Sequence, residues 1–287
     1  MAQLTLKGLV GATDEVTTSF VSEVFPNLAS MVEPLIWTLA VGYWVALGLQ
    51  MYNGHVSVKG WDIVKRAMLT ALVFTCLNWS QGGTVLYQAW GAWTEGIAAK
   101  IMGGGASTNT MLDALYTDIG KVSSTLMNVG WRQIAMIIMG TGLFVLNCIL
   151  FIAAVLNMLI AKFGAAIIMA ILPVMVGFIF FDAVRQWSMN WFSKMLNFSL
   201  IYILSIAVVR FGYSVFGDAI KEAATAATIT DAALITAQQW GQLVIVEGVM
   251  IICMLQVRGW AAALSSGAAV GGSSLVLMAL RTLGVRK

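Results

Sequence analysis

Residues 131–181 read WRQIAMIIMGTGLFVLNCILFIAAVLNMLIAKFGAAIIMAILPVMVGFIFF and carry only two basic side chains, Arg132 and Lys162. Water cannot host such a stretch, and one bilayer crossing needs only about 20 apolar residues. The chain is therefore expected to be an all-α, polytopic membrane helix bundle. The rest of the composition agrees. It is 60% hydrophobic and 10% charged, where a soluble domain carries about 25% charged residues. Its 28 glycines against 3 prolines suit membrane helices, whose backbones approach closely where side chains are small. A net charge of +3, scattered along the chain, gives no footing for nucleic acid.

Outward from this stretch, apolar segments mark further spans. The first runs from about Val32 to Tyr52, with Pro34 in its first turn, where proline is tolerated. The second starts near Ala67 and must pass Asn78 and Gly82–Gly83 toward Trp90 to cross. The third runs from Gln133 to about Leu159, and a further apolar piece, 163–181, is interrupted by Gly164, Pro173 and Gly177. Two more spans follow, Met195 to Phe216 and Leu243 to Val257. Ahead of them all, Leu6, Leu9, Val10, Val16, Phe20, Val24 and Leu28 recur at helical spacing among Lys7, Asp14, Glu15 and Glu23. That pattern predicts an amphipathic helix lying on a membrane or a partner; the alternative is a solvated arm. The first thirty residues lack the pattern of a cleavable signal peptide.

The organisation expected is an N-terminal periplasmic arm at 1–30, then two spans and a basic cytoplasmic loop at 31–92. A periplasmic loop domain at 93–130 is expected to include a helix from Leu112 to Met127. The core membrane bundle is 131–257, with a second periplasmic loop at 217–241, and the cytoplasmic tail is 258–287. Orientation turns on 163–181. If this piece dips in and returns, there are about five spans. One face then collects Lys59, Lys65, Arg66, Lys162, Arg185, Lys194, Arg258, Arg281, Arg286 and Lys287. The other face keeps Lys7, Lys100, Lys121 and Lys221, with Arg132 at its border. Crossing instead would split positive charge evenly, so the positive-inside rule favours five spans. A re-entrant or broken segment near Pro173 then accompanies them, with the N-terminus periplasmic and the C-terminus cytoplasmic.

Ionisable groups inside a bilayer cost about 2.5–3.5 kcal/mol on insertion scales and are functional candidates by default. Glu33 lies near a span end. Arg210 and Glu247 lie in adjacent spans joined by one loop, and are expected to pair; the alternative is that both snorkel to the nearer surface. The three cysteines, Cys76, Cys148 and Cys253, sit in apolar segments without CxxC spacing, and His55 is the single histidine. No metal, cofactor or catalytic constellation is expected. Gly103–Gly105 lacks the strand-to-helix context of a phosphate loop. The tryptophans cluster at span ends, as in an aromatic belt.

The segment Ile171-Leu172-Pro173, with Gly177-Phe178-Ile179-Phe180-Phe181, Arg185-Gln186-Trp187 and Trp191-Phe192, resembles a signature block. It belongs to the TrbL-type polytopic inner-membrane subunits of type IV secretion and conjugation systems, the sixth VirB-type component. Its anchor residues here are Pro173, Gly177, Phe181, Trp187 and Phe192. The Trp61-Asp62 loop and the small-residue stretch from Ala261 to Gly267 agree with it. The resemblance implies a non-enzymatic protein of the bacterial inner membrane that forms part of the translocation channel and of the pilus assembly base. The implied assembly is a ring-like homo-oligomer, a pentamer among the candidates. Implied partners are the major and minor pilins, the bitopic scaffold subunit, the secretion ATPase complex, a translocated relaxase–DNA complex or effector, and the lipid bilayer. The loop at 93–130, with Trp93, Asp113, Asp118 and Trp131 at its ends and on its helix, is the expected periplasmic contact region. The rival readings are a secondary transporter, which would need inverted repeats and midplane polar sites, and a scaffold of another envelope complex.

Overall fold

The computed structural model describes residues 6–54, 60–103, 108–128, 134–180, 184–229 and 237–266. These residues form α1 (Leu6–Tyr52), α2 (Gly60–Leu77), α3 (Thr84–Ile101), α4 (Thr108–Met127), α5 (Ile134–Ala170), α6 (Leu172–Gly177), α7 (Arg185–Ile229) and α8 (Ala237–Ser266). A π-turn at Trp79–Gly83 and a 3-10 turn at Phe178–Phe180 complete them. Four helices are long and apolar enough to cross a membrane, within Gly11–Tyr52, Ile134–Ala170, Gln186–Val215 and Trp240–Ser265. The expected all-α polytopic bundle is what the chain builds. Trp131 and Phe181, together with His55, lie outside the described residues.

Most of the decisive stretch, Ile134–Ala170, folds as one helix of 37 residues, α5. At a rise of about 1.5 Å per residue it is roughly 55 Å long, well beyond a hydrocarbon core of about 30 Å. It passes through Gly164 without a break. That glycine is a notch instead: a Cβ there would overlap the ring of Phe198 on α7. α5 ends at Ala170, Ile171 (φ −88°, ψ 4°) caps the next helix, and Pro173 sits in the first turn of α6. The physical cause is the proline ring, which lacks an N–H and would collide with the carbonyl four residues back, that of Met169. The break expected near Pro173 is therefore real, and the interruption expected at Gly164 is not.

α1 joins the predicted arm and first span into a single helix of 47 residues, with Pro26 and Pro34 inside it. Pro34 is thus mid-helix rather than in a first turn, a position that membrane helices tolerate when freed backbone groups find other partners. Thr38 Oγ1 donates to Pro34's own carbonyl at 2.9 Å, whereas the carbonyl that the ring leaves without its helical N–H is that of Ser30. Between residues 11 and 30 the buried side chains are Thr13, Thr17, Val21, Phe25 and Ala29, while Val16 and Phe20 of the predicted apolar stripe are exposed. At the other end of the chain, α7 continues to Ile229, so the first part of the loop expected at 217–241 is helical.

The chain divides into two compact units: Met1–Thr13, Thr94–Lys162 and Ser199–Ala263 in unit 1, and Asp14–Trp93, Phe163–Phe198 and Leu264–Lys287 in unit 2. In unit 1 the buried core draws Ile119, Val122 and Leu126 from α4. It adds Leu143, Leu150, Ala154 and Met158 from α5, Ile206 and Val209 from α7, and Met250 and Met254 from α8. On α5 the buried positions recur every three or four residues, while Ile138, Val145, Ile149, Ile152, Leu156 and Ile160 face outward. An apolar outer stripe and a packed inner one are what a helix bordering lipid requires.

In unit 2, Val21, Phe25 and Ile36 of α1 form one core with Val73 and Leu77 of α2, Met169 of α5, Leu172 and Val176 of α6, and Met195 of α7. The second span is broken where its apolar character weakens. Asn78 is extended (φ −81°, ψ 110°) and its side chain accepts from Ser80 N. The Asn78 carbonyl accepts from the backbone N–H groups of Gly82 and Gly83, each at 3.0 Å. Gly82 lies against the Thr75 carbonyl, and a Cβ on Gly83 would be 2.9 Å from the Trp79 ring. Both glycines are required by close approach.

Candidate functional site

The family-signature residues of unit 2 are built around the Pro173 break. A break frees backbone carbonyls, and side chains of the next helix take them up. Ser188 Oγ donates to the Met175 carbonyl at 2.6 Å, and Trp191 Nε1 donates to the Ile168 carbonyl at 2.7 Å. Pro173 and Gly177 are buried. A Cβ on Gly177 would come within 2.8 Å of Ile36 Cδ1, so the glycine lets α1 approach. Trp187 stands edge-on to Phe178 at 5.4 Å, and Phe192 edge-on to Trp90 at 5.9 Å. The block thus holds a broken helix in place from both sides. Among the described residues no cluster of three His, Cys, Asp or Glu could hold a metal.

In unit 1 the two asparagines of α5 are spent on neighbouring helices. Asn147, 2% exposed, donates to the Tyr116 carbonyl of α4 at 3.1 Å. Asn157, 4% exposed, donates from Nδ2 to the Met254 carbonyl of α8 at 2.8 Å. Its Oδ1 accepts from Arg258 Nε at 2.9 Å. Trp240 Nε1 donates to the Met139 carbonyl at 3.0 Å. Reading the sequence for ionisable groups missed this network. The signal was present: two asparagines ten residues apart within an otherwise apolar stretch.

The expected Arg210–Glu247 pair does not form. Glu247 lies on the buried face of α8 with Leu243, Val246, Met250 and Met254, and is 0% exposed. Neither carboxylate oxygen has a hydrogen-bond partner. The register of α7 against α8 is set elsewhere, by Met250 filling the space over Gly212. Arg210 Nη2 instead lies 4.0 Å from where a Cβ of Gly103 would sit, and Gly103 has φ +85° just past the end of α3. A cation suits that place, because the last carbonyls of a helix carry partial negative charge.

Residues 40–257, about three quarters of the chain, match the family described as TrbL/VirB6 plasmid conjugal transfer protein. The chain belongs to the TrbL/VirB6 family. No curated protein matches the chain. Membership makes it a component of conjugal transfer or type IV secretion machinery, in a family that is structural to conjugation rather than enzymatic. Among the described residues four helices are long and apolar enough to cross a bilayer, so the chain is a membrane protein.

For this TrbL/VirB6 member the expected contact loop is rearranged. α3 extends eight residues past Trp93. Thr94 Oγ1 meets Ser199 Oγ at 3.3 Å, and Glu95 meets Lys162 Nζ at 3.5 Å. Lys162 also lies 5.5 Å from the Tyr202 ring. The residues following Trp93 therefore run beside α5 and α7. The hydrophilic region begins after Ile101. Trp93 itself is 44% exposed and its ring is 5.3 Å from that of Trp90. Asp113 and Asp118 lie on α4, where Asp118 pairs with Lys121 at 3.2 Å.

Proposed function

We propose that this subunit is a channel and assembly-platform component of a type IV secretion machine, supporting substrate translocation and pilus biogenesis as a ring-like homo-oligomer. In this reading it crosses the bacterial inner membrane five times, with its N-terminus in the periplasm and its C-terminus in the cytoplasm. Pilins, the bitopic scaffold subunit, the secretion ATPase complex and a translocated relaxase–DNA complex or effector are its partners. The observation that carries the reading is the use of polar side chains in unit 1. Asn147, Asn157 and Trp240 each bond a backbone carbonyl of another helix, which fixes the helices rather than grips a solute. A secondary transporter keeps such groups for substrate and coupling ions near the midplane. The cavity among Tyr116, Asn147, Phe151 and Met250 holds only about 10 Å³, the space of a single water.

Two experiments test this. Gentle detergent extraction from the native host through a C-terminal tag is expected to yield a ring-sized particle. It should carry a pilin, a secretion ATPase and a bitopic scaffold protein by mass spectrometry. A lone monomer that binds a solute would put the transporter reading first. On α4, the proposed contact helix, Thr117, Lys121 and Ser124 are exposed along one face. Thr117→Arg with Ser124→Arg is expected to leave membrane insertion intact and abolish conjugal transfer. Undiminished transfer would remove α4 from the contact surface.

A further inference from the structure

Within unit 2, α1 and α2 form an antiparallel pair. Trp37 meets Phe74 with ring centroids 4.5 Å apart, Trp44 Nε1 donates to Thr70 Oγ1 at 3.3 Å, and Arg66 Nη1 donates to Tyr43 Oη at 2.6 Å. Beside these contacts lies a groove of about 460 Å³, walled by Trp37, Trp44 and Phe74 and floored by Ala40, Ala67 and Ala71. Small residues on both helices leave the space and aromatic ones bound it. Its one hydroxyl is engaged: Thr70 accepts from Trp44 and donates to the Arg66 carbonyl at 2.9 Å. Apart from the indole N–H of Trp37 the rest of the lining is hydrocarbon, so what fills the groove is apolar along most of its length.

One end differs in charge. Arg66 lies one helical turn before Thr70, with its guanidinium 5.9 Å from the Tyr43 ring. Lys65 is beside it, with its ammonium 5.9 Å from the ring of Trp61. Lys59 is close in sequence and Asp62 is the one acid between them, leaving residues 59–66 with a positive balance. The flanking surface is apolar and open: Val41, Val45, Met68 and Leu72 are each more than half exposed. An apolar slot ending at paired cations beside aromatic rings complements a molecule with a long hydrocarbon tail and an anionic head. Basic pockets between membrane helices take up such headgroups.

We propose that the groove between α1 and α2 holds an acyl chain of an anionic phospholipid, whose headgroup phosphate rests on Lys65 and Arg66. A second copy of this chain would need an acid at the corresponding end of an apolar ridge; a lipid of the surrounding bilayer supplies both features in one molecule. The test is native mass spectrometry of the full-length protein, released from vesicles of equal phosphatidylglycerol and phosphatidylcholine. Wild type is expected to retain phosphatidylglycerol preferentially. Lys65→Gln with Arg66→Gln should lower that preference on the order of tenfold while the protein still folds by circular dichroism. Ala71→Leu, which narrows the slot, should reduce retention of both lipids. Equal retention of the two lipids by wild type would overturn the proposal. So would a preference that survives the double substitution, or an Ala71→Leu variant that changes oligomer mass while lipid retention stays constant. The last result would assign the groove to a second copy.

Discussion

The two units solve the same problem in opposite ways. In unit 1 the helices stay intact, and polar side chains reach across to carbonyls of their neighbours, as Asn157 does to Met254. In unit 2 the helices are broken at Asn78 and Ile171, and nearby side chains satisfy the groups that the breaks release, as Trp191 does for Ile168. Where a helix is unbroken, its register against the next must be specified by side chains. Where it is broken, the break itself fixes position, and glycines with aromatic rings fill the shape around it. The lesson is that polar residues in one unit and irregular backbone in the other serve one end, a single arrangement of helices in a medium where apolar burial discriminates poorly.

That contrast can be broken most severely at Gly164. Leucine there must displace Phe198, and is expected to destabilise by about 3 kcal/mol, the upper range for overpacking. Gly142, on the same helix, has nothing within 4 Å of a Cβ position, so Gly142→Leu should change little. Thermal unfolding in detergent compares the two, and equal effects would show that the notch is unimportant. A smaller effect is expected at Asn157. Asn157→Leu strips partners from both Met254 and Arg258 and should destabilise by about 1–2 kcal/mol. A double-mutant cycle with Arg258→Met would sharpen this, since purely additive effects would deny the interhelical bond. The smallest change is expected at Glu247, with the opposite sign. Its carboxylate has no hydrogen-bond partner, so Glu247→Leu should raise stability by about 1 kcal/mol. If it lowers the midpoint instead, the carboxylate has a structural role that its surroundings do not reveal.

The apolar run at 131–181 and the ring of Pro173 were enough to read the bundle and its break, because both act locally along the chain. Other features depended on residues remote in sequence. Gly164 reads as an interruption until Phe198 is seen against it. Arg210 and Glu247 read as partners until Met250 and Gly212 set the register between α7 and α8. The boundary at Trp93 followed from rising polarity, yet Glu95 and Thr94 had partners, Lys162 and Ser199, that no local pattern could supply. Asn147 and Asn157 are legible as polar residues within an apolar stretch, but a neutral amide costs less to bury than a charge and its carbonyl partners on other helices leave no mark in the local pattern.

The interhelical bonds of unit 1 also act as depth marks. Eighteen residues separate Met139 from Asn157 on α5, and the same number separate their partners Trp240 and Arg258 on α8. Each interval measures about 27 Å along a helix, close to the thickness of the hydrocarbon layer. Tryptophan favours one boundary of that layer, and a guanidinium on a long stem reaches water at the other. The two helices therefore carry matching graduations of a ruler. Asn147 and Glu247 lie between its two marks, while Lys162, clasped to Glu95, lies five residues past Asn157.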